Sequence, residues 1–412
     1  MATGGAEVRS GRRQPWPIVR LGDVCDITAG NSAPQDKTLF LDGTHPFIRT
    51  SDVGELHFGT IVRSRDNLND TGIIGLRLFP KGSVLFPKSG ASTYLNHRAL
   101  LGVNAYVVSH LAVIMPREQV YPQYLLYALA VVDAKTLMQD SSYPALRTTE
   151  IGAAKLPLPP LSAQREIVAR LERELAAVEK MKAGFEALAE TAQREFKAEL
   201  KEAFGELKRK GTETRRLGDV CECKKGPFGS ALTKSIFVPR SDSTVKVYEQ
   251  KNAIRKDATL GSYYITRQYF DAKMRSFEVK PADIIISCAG TIGETYILPS
   301  GCEQGVINQA LMRVRTCSCL DKLFFLFFFE TILNVVNDSS NGSAMKNIPP
   351  FKIFKAFEIP VPSLAEQREV VARLDAAKTR TEKLEAKAKE GAAVCETLRK
   401  AILKEAFAGA ES

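Results

Sequence analysis

A stretch at residues 159–174, PPLSAQREIVARLERE, returns at residues 361–376 as VPSLAEQREVVARLDA. Leu161, Gln164, Arg165, Glu166, Val168, Ala169, Arg170 and Leu171 recur 203 positions later as Leu364, Gln367, Arg368, Glu369, Val371, Ala372, Arg373 and Leu374. The repeat has a second anchor at the same offset, where Lys201, Glu202, Ala203 and Phe204 return as Lys404, Glu405, Ala406 and Phe407. Residues between the anchors differ widely, so length is held while sequence drifts. From Gln164 to Phe204 each copy contains no proline and is rich in Ala, Glu, Lys, Arg and Leu, which are strong helix formers. At 1.5 Å per residue each copy predicts a helix of roughly 60 Å. Helices this long are rods, and rods set distances.

Both rods have start signals. Pro159 and Pro160 disfavour helix before the first, with Ser162 as the expected N-cap; Ser363 and Glu366 stand in capping-box spacing at the second. Val168, Leu171, Leu175, Val178, Met181, Phe185, Leu188 and Ala192 alternate spacings of three and four, as a coiled-coil seam does. The second rod keeps Val371, Leu374, Leu384, Ala388, Cys395, Leu398 and Ile402 but puts Lys378, Thr381 and Gly391 on or near the same line. Ordinary core helices average only about 11–12 residues, so two packed on each other explain this length better than two packed each on its own domain.

At 412 residues and 44% hydrophobic content the chain has material for at least two cores. The eight cysteines include the C-x-C pairs Cys221/Cys223 and Cys317/Cys319, without zinc-site spacing, and there are four histidines in all. Reduced thiols in a cytoplasm are expected. The longest apolar run, residues 323–329, is too short to span a bilayer and reads as a buried helix. The N-terminus carries Arg9, Arg12 and Arg13 without an apolar stretch and reads as a flexible tail rather than a signal peptide. A net charge of +10 points to an acidic partner, nucleic acid first.

Residues 17–157 read as a mixed domain, with strand-like runs at 84–86 and 105–108 bounded by Gly, Pro and Asn, and a helix from Pro122 through Val132. After the first rod, RRLGDVC at 215–221 echoes VRLGDVC at 19–25, so a second domain begins as the first did. DIIISCAGTIG at 283–293 takes the place of SVLFPKSGAST at 83–93, and VINQALMRV at 306–314 that of VVSHLAVIM at 107–115. The order is domain, rod, domain, rod. The domains differ most in their earlier part, where residues 224–280 hold twelve Lys or Arg against five Asp or Glu.

With these strings in view, the chain resembles the specificity subunit of a Type I restriction-modification enzyme. LPPLSAQREI and VPSLAEQREV at the helix starts, RLGDV at each domain start, and ISCAGTIG with VINQALMRVR carry the resemblance, which covers about residues 17–409. Lys88-Ser89-Gly90 departs from the more typical Arg-Ser/Gly-Thr turn. The resemblance implies an α+β protein: two similar α/β target-recognition domains separated by two long helices that form an antiparallel coiled coil with pseudo-twofold symmetry. Its expected boundaries are a tail at 1–16, domains at 17–160 and 211–361, and helices at 161–210 and 362–412. It further implies a cytoplasmic, non-catalytic reader of double-stranded DNA. Each domain would read half of a bipartite target, and the helices would set the gap. Two methyltransferase subunits using S-adenosylmethionine would assemble on it to methylate adenine, with restriction and translocase subunits joining them.

Candidate DNA contacts in the second domain are Lys224, Lys225, Lys234, Arg240, Lys246, Lys251, Arg255, Lys256, Arg267, Lys273 and Arg275. Those in the first are Arg49, Arg63, Arg65, Arg77, Lys88, His97 and Arg98. Arg suits bidentate contact with guanine, whereas Lys acts as a point charge. A catalytic alternative, a stand-alone methyltransferase or nuclease, finds little support. NIPPF at 347–351 resembles an Asn-Pro-Pro-Phe methyltransferase loop, but Ile348 pushes the asparagine out of register, and no Gly-rich turn for an adenosyl cofactor follows a strand. Asp257, Asp271 and Lys273 imitate a nuclease set by composition alone. A coiled-coil adaptor that never touches DNA would explain the rods but not two divergent domains with a basic stretch.

Overall fold

The computed structural model describes residues 16–138, 145–338 and 351–407. The expected tail therefore lies almost wholly outside the described residues, as does the Asn-Ile-Pro-Pro stretch at 347–350. The two rods form as single helices, Leu161–Arg209 and Leu364–Ala406. Numbering helices in chain order, α1 is Pro122–Ala130, α2 is Leu161–Arg209, α3 is Lys322–Asp338 and α4 is Leu364–Ala406. The chain divides into two compact units, one drawn from Met1–Phe185 with Lys389–Ser412 and the other from Glu186–Ala388. Each unit thus takes a piece of both long helices.

In the first unit, Cys25–Ala29, Leu111–Pro116, Val84–Pro87, Arg98–Leu101 and Phe58–Ile61 form a five-stranded sheet in that order. A three-stranded sheet runs Asp66–Leu68, His45–Ile48, Tyr106–Val107, the last two parallel. The second unit repeats the pattern with Cys221–Lys225, Leu311–Thr316, Ile284–Ser287 and Thr295–Ile297 in one sheet. The other sheet is Tyr264–Thr266, Thr244–Tyr248, Gly305–Ile307 and Glu278–Val279, again with one parallel pair, Thr244–Tyr248 beside Gly305–Ile307.

Each domain is closed at its root by its own ends. Ile18–Arg20 pairs antiparallel with Lys155–Pro157, and Thr214–Arg216 with Glu358–Pro360. The repeated Leu-Gly-Asp-Val string sits at this root for a packing reason. Leu21 and Val24, like Leu217 and Val220, are buried, while the amides of Leu21 and Leu217 each donate to a carbonyl just before the closing strand, Ala154 and Phe357, at 2.8 Å.

The long helices start by two routes. Ser363 and Glu366 form the expected reciprocal cap: the Ser363 amide donates to Glu366 Oε2 at 3.0 Å and the Glu366 amide to Ser363 Oγ at 3.3 Å. Ser162, by contrast, is not an N-cap. Helix α2 begins one residue earlier, with the Gln164 amide donating to Pro160 O at 3.0 Å, so Ser162 stands exposed in the first turn.

Both starts share a buried amide. Gln164 accepts from the Tyr121 amide at 2.7 Å and donates to the carbonyls of Gln119 and Pro159, both at 2.8 Å. Gln367 repeats this with the Asp321 amide and the carbonyls of Cys319 and Pro362 at 2.8–2.9 Å.

The other ends dock on the globular cores. Phe204, near the end of α2, packs on Phe324 and Phe328 of α3, with ring centroids 5.1 and 5.3 Å away, in the second unit. Phe407, just past α4, packs on Tyr124 of α1 at 5.4 Å in the first. The second anchor of the repeat is therefore a docking residue. The phenylalanine-rich run is a buried helix as expected, with Phe324, Phe325, Phe327, Phe328 and Phe329 all in the core.

Within each unit the long helices pack antiparallel. Lys182 meets Glu396 at 2.5 Å and Glu179 faces Arg399 at 3.8 Å in the first; Glu206 meets Arg373 at 2.9 Å and Glu199 pairs with Arg380 in the second. Val168, Leu171, Leu175, Val178 and Ala192 are buried as the seam predicts, but Met181 and Leu188 lie exposed. The three residues that interrupt the second seam each have a place. Lys378 points to α3, with Glu330 at 3.4 Å and the Phe327 ring at 5.8 Å. Thr381 is buried with its hydroxyl 3.4 Å from Ala192 O. Gly391 lies against the Phe185 ring, and a Cβ there would come within 2.4 Å of it.

Contrary to the expectation of reduced thiols throughout, Cys317 and Cys319 form a disulfide; Cys25, Cys221, Cys223, Cys288, Cys302 and Cys395 are free. Among the described residues, no helix is long and apolar enough to cross a membrane.

Glycine to alanine inside a helix ordinarily stabilises by about 0.5–1 kcal/mol. At Gly391 the Phe185 ring should reverse the sign. Gly391→Ala is expected to lower the melting temperature, and pairing it with Phe185→Leu should recover most of the loss; a double-mutant cycle followed by thermal denaturation checks this.

Candidate nucleic-acid interface

The basic stretch of the second domain does not form one uniform surface. After the strand Cys221–Lys225 the chain makes two short turns, Gly229–Ala231 and Lys234–Ile236. It then enters the sheet at Thr244–Tyr248 and passes through the helix Gln250–Ile254. Lys225, Lys234 and Arg255 are exposed and make no ion pair among the described residues. Lys224 lies over the Phe277 ring at 4.7 Å and Lys273 over Tyr269 at 5.6 Å, with their ammonium groups stacked on aromatic faces.

Five further cations have local partners. Arg240 pairs with Glu303 at 3.3 Å, Lys251 with Glu249 at 2.7 Å, Lys256 with Glu294 at 2.8 Å and Arg275 with Asp271 at 2.9 Å. Arg267 donates to Gln304 Oε1 at 2.6 Å. Except for Arg267 these side chains are exposed, and exposed pairs hold their partners weakly, so they remain available to phosphate.

Lys246 is a correction. Its side chain is fully buried and its ammonium donates to the carbonyls of Ala258 and Thr259 at 2.8 and 3.0 Å, with Glu303 at 3.7 Å. Burial lowers its pKa and Glu303 partly restores it. Lys246 ties the 258–259 turn to the central strand and cannot meet a phosphate.

In the first domain Arg63 is exposed without an ion pair among the described residues. Arg65 pairs with Glu55 at 2.5 Å. Arg49 pairs with Asp66 and lies 5.2 Å from the rings of both Phe40 and Phe47. Arg77 is exposed over Phe79 at 5.2 Å. Lys88 is half-buried, and its backbone joins His110 and Leu146. The His97 ring lies tilted against that of His57 with centroids 4.5 Å apart, and burial, His57 and Arg98 together lower its pKa.

Arg98 is a second correction. It is 0% exposed, lies 3.5 Å over the Phe86 ring, and donates to the carbonyls of His97 and Val132 at 2.8 and 3.1 Å. Composition cannot distinguish these two buried cations from their exposed neighbours. The signal that could have found them is their place in strands buried along their length: Lys246 stands in the middle of Thr244–Tyr248 and Arg98 opens Arg98–Leu101, each a charged residue in an otherwise apolar run.

The nuclease-like trio does not converge. Asp257 accepts from the amide and hydroxyl of Thr259, both at 2.7 Å, and serves a turn; Asp271 is held by Arg275. Among the described residues no group of three or more His, Cys, Asp or Glu is placed to hold a metal ion. A feature missed by charge counting is Phe228, 89% exposed on the turn after Lys225. Its signal was the Gly-Pro-Phe-Gly string, in which an aromatic stands among turn residues.

The family model described as "Type I restriction modification DNA specificity domain" matches residues 13–183 and 209–391, one copy per domain and long-helix start. The chain is 22% identical over 380 residues to the putative type I restriction enzyme MjaX specificity subunit of Methanocaldococcus jannaschii, covering 88% of this chain and 87% of that one. It is 28% identical over 150 residues to the MjaIX specificity subunit of the same organism, covering 35% of this chain and 34% of that one. Two solved structures share the fold. One comes from work on the complex assembly and conformational transition of the type I R-M system, with TM-score 0.72, 21% identity and coverage of 97% and 99%. The other is the HsdS subunit of Thermoanaerobacter tengcongensis, with TM-score 0.56, 21% identity and the same coverage.

Lys246→Met leaves two buried carbonyls without donors, at a cost of about 1–3 kcal/mol. Thermal denaturation should show a clear drop for Lys246→Met and no measurable change for Lys225→Met, whose side chain is exposed.

Proposed function

The chain belongs to the Type I restriction modification DNA specificity domain family, and from that premise we propose that it is the sequence-reading subunit of a Type I restriction-modification complex. Each globular domain reads one half of a bipartite double-stranded DNA target, and α2 and α4 set the gap between the halves. The observation that carries this reading is the duplication itself. Two domains share a root, a strand order and a Gln-anchored helix start. Their charged surfaces differ, as two readers of different sequences require.

Exposed lysines and arginines would hold phosphates and so position each domain, while base edges supply the sequence information. The subunit itself carries no chemistry. Two methyltransferase subunits using S-adenosylmethionine supply adenine methylation, and restriction and translocase subunits complete a cytoplasmic assembly.

If each domain reads one half, exchanging residues 216–360 for the matching domain of a relative should change one half of the methylated sequence and leave the other intact. Sequencing methylated DNA from cells that express the chimera with its methyltransferase subunit checks this. A change in both halves refutes the one-domain, one-half reading.

The spacing role has its own test. Inserting four residues after Glu186 in α2 and four after Lys389 in α4 adds about 6 Å of helix and roughly 40° of rotation. DNA rises 3.4 Å per base pair, so the two half-sequences should persist with a gap longer by about one to two base pairs. An unchanged gap at full affinity counts against the helices as the ruler.

A further inference from the structure

The loop that follows the first strand of each domain has a common base and a different tip. Gly30 and Gly226 are equivalent, 196 residues apart, and their amides donate to the carbonyls of Leu111 and Leu311 at 3.0 and 2.9 Å. A Cβ at Gly30 would lie 2.3 Å from Val108 O, and one at Gly226 only 1.8 Å from Asn308 O, so neither position tolerates a side chain. Beyond this base the loops part. In the first domain Asn31 turns inward, accepting from the Arg77 amide at 2.8 Å and donating to Arg77 O at 2.9 Å, and Ser32 follows. In the second, Pro227 is buried and Phe228 projects into solvent, the most exposed large hydrophobic among the described residues.

The projection is built. Phe228 O accepts the Ala231 amide at 2.9 Å, closing a tight turn; Leu232 anchors it in the core; and Tyr269 Oη donates to Ala231 O at 2.9 Å from outside. The ring is therefore presented from a braced turn rather than a loose tip. The segment that carries it is basic. From Lys224 to Arg240 the chain carries Lys224, Lys225, Lys234 and Arg240 and no Asp or Glu, and Lys273 lies over the Tyr269 ring that braces the turn. A lone exposed apolar side chain needs no explanation by itself. One braced on a turn between Lys225 and Lys234, in a segment that carries no Asp or Glu, on a loop whose tip differs between two otherwise matching domains, fits an anionic partner with an apolar feature within reach.

We propose that Phe228 is a specificity-determining residue of the second domain and that its ring meets a thymine 5-methyl group in the half-site read by that domain. The inference rests on the DNA-reading role proposed above. A phenyl ring offers no hydrogen-bond donor or acceptor, so it cannot read the polar pattern of a base edge. The thymine methyl is the apolar mark in the major groove. The flanking lysines hold phosphates on either side, and Ser32 gives the first domain no equivalent apolar contact.

The test uses the chain assembled with its methyltransferase subunit, and duplexes carrying the sequence that the wild-type complex methylates. Each thymine of the second half-site is replaced singly by deoxyuridine, which removes only the methyl. One replacement should weaken wild-type binding by about four-fold, the worth of one buried methyl-sized group. Phe228→Ala should bind the unmodified duplex more weakly by at least that factor and lose nothing further on that replacement. Phe228→Leu should retain part of the response. Replacements in the first half-site should affect all three proteins equally, and their melting temperatures should match, because the side chain is exposed. Equal binding by wild type and Phe228→Ala, or an unchanged deoxyuridine response in Phe228→Ala, overturns the proposal while leaving the DNA-reading role standing. Sequence-independent binding by the wild-type complex would instead remove the role on which it rests.

Discussion

Gln164 and Gln367 are the pivots of their units. Each is 0% exposed, and each amide meets three backbone groups: one N–H of the loop ahead of α1 or α3, one carbonyl of that loop, and one carbonyl of the turn that starts the long helix. A buried amide so used has both donors and an acceptor satisfied, and its removal would leave main-chain groups unpaired in a core. The contact reads backbone rather than side chains. The loops can consequently differ completely, Gln119–Val120–Tyr121 in one domain and Cys319–Leu320–Asp321 in the other, while the helix leaves each domain from the same anchor. An apolar residue at this place would need a matching apolar loop each time.

The far anchor solves the complementary problem. Phe204 and Phe407 are buried against aromatic side chains of the domain helices, so each unit's core is completed by the end of one long helix and the start of the other. This explains why the two copies preserve length between Gln and Phe while their middle sequences drift. Aromatic burial at one end and main-chain hydrogen bonding at the other tolerate variation between them. The middle is correspondingly lightly packed, with Met181 and Leu188 exposed and Gly391 accommodating Phe185.

The surface follows a different rule from the core. Of the cations in the basic stretch, several are already matched to neighbouring carboxylates, and Lys246 is an internal tie. The charge without a neighbouring carboxylate is thus smaller than the composition indicates and is carried by Lys225, Lys234, Arg255 and the cations stacked on aromatic rings. Arg313 and Arg315 illustrate the same economy inside the sheet, where they bridge Glu222 and Asp283 rather than face solvent.

By itself the sequence determined the two rods, the repeated order of domains and helices, the buried phenylalanine helix and the capping box at Ser363 and Glu366. These depend on local periodicity, composition and an exact internal repeat, all carried within a few turns of chain. The family likewise was legible, because the repeated strings coincide with the domain roots and the glutamine anchors, whose geometry constrains residue type. Only the tertiary structure decided that Ser162 lies inside its helix, that Gly391 is a seat for Phe185, and that each compact unit combines parts of both long helices. It also decided which cations reach the surface. Lys246 and Arg98 match Lys225 and Arg63 in residue type and charge, and their fate depends on strands and turns that supply carbonyls and cover them from water.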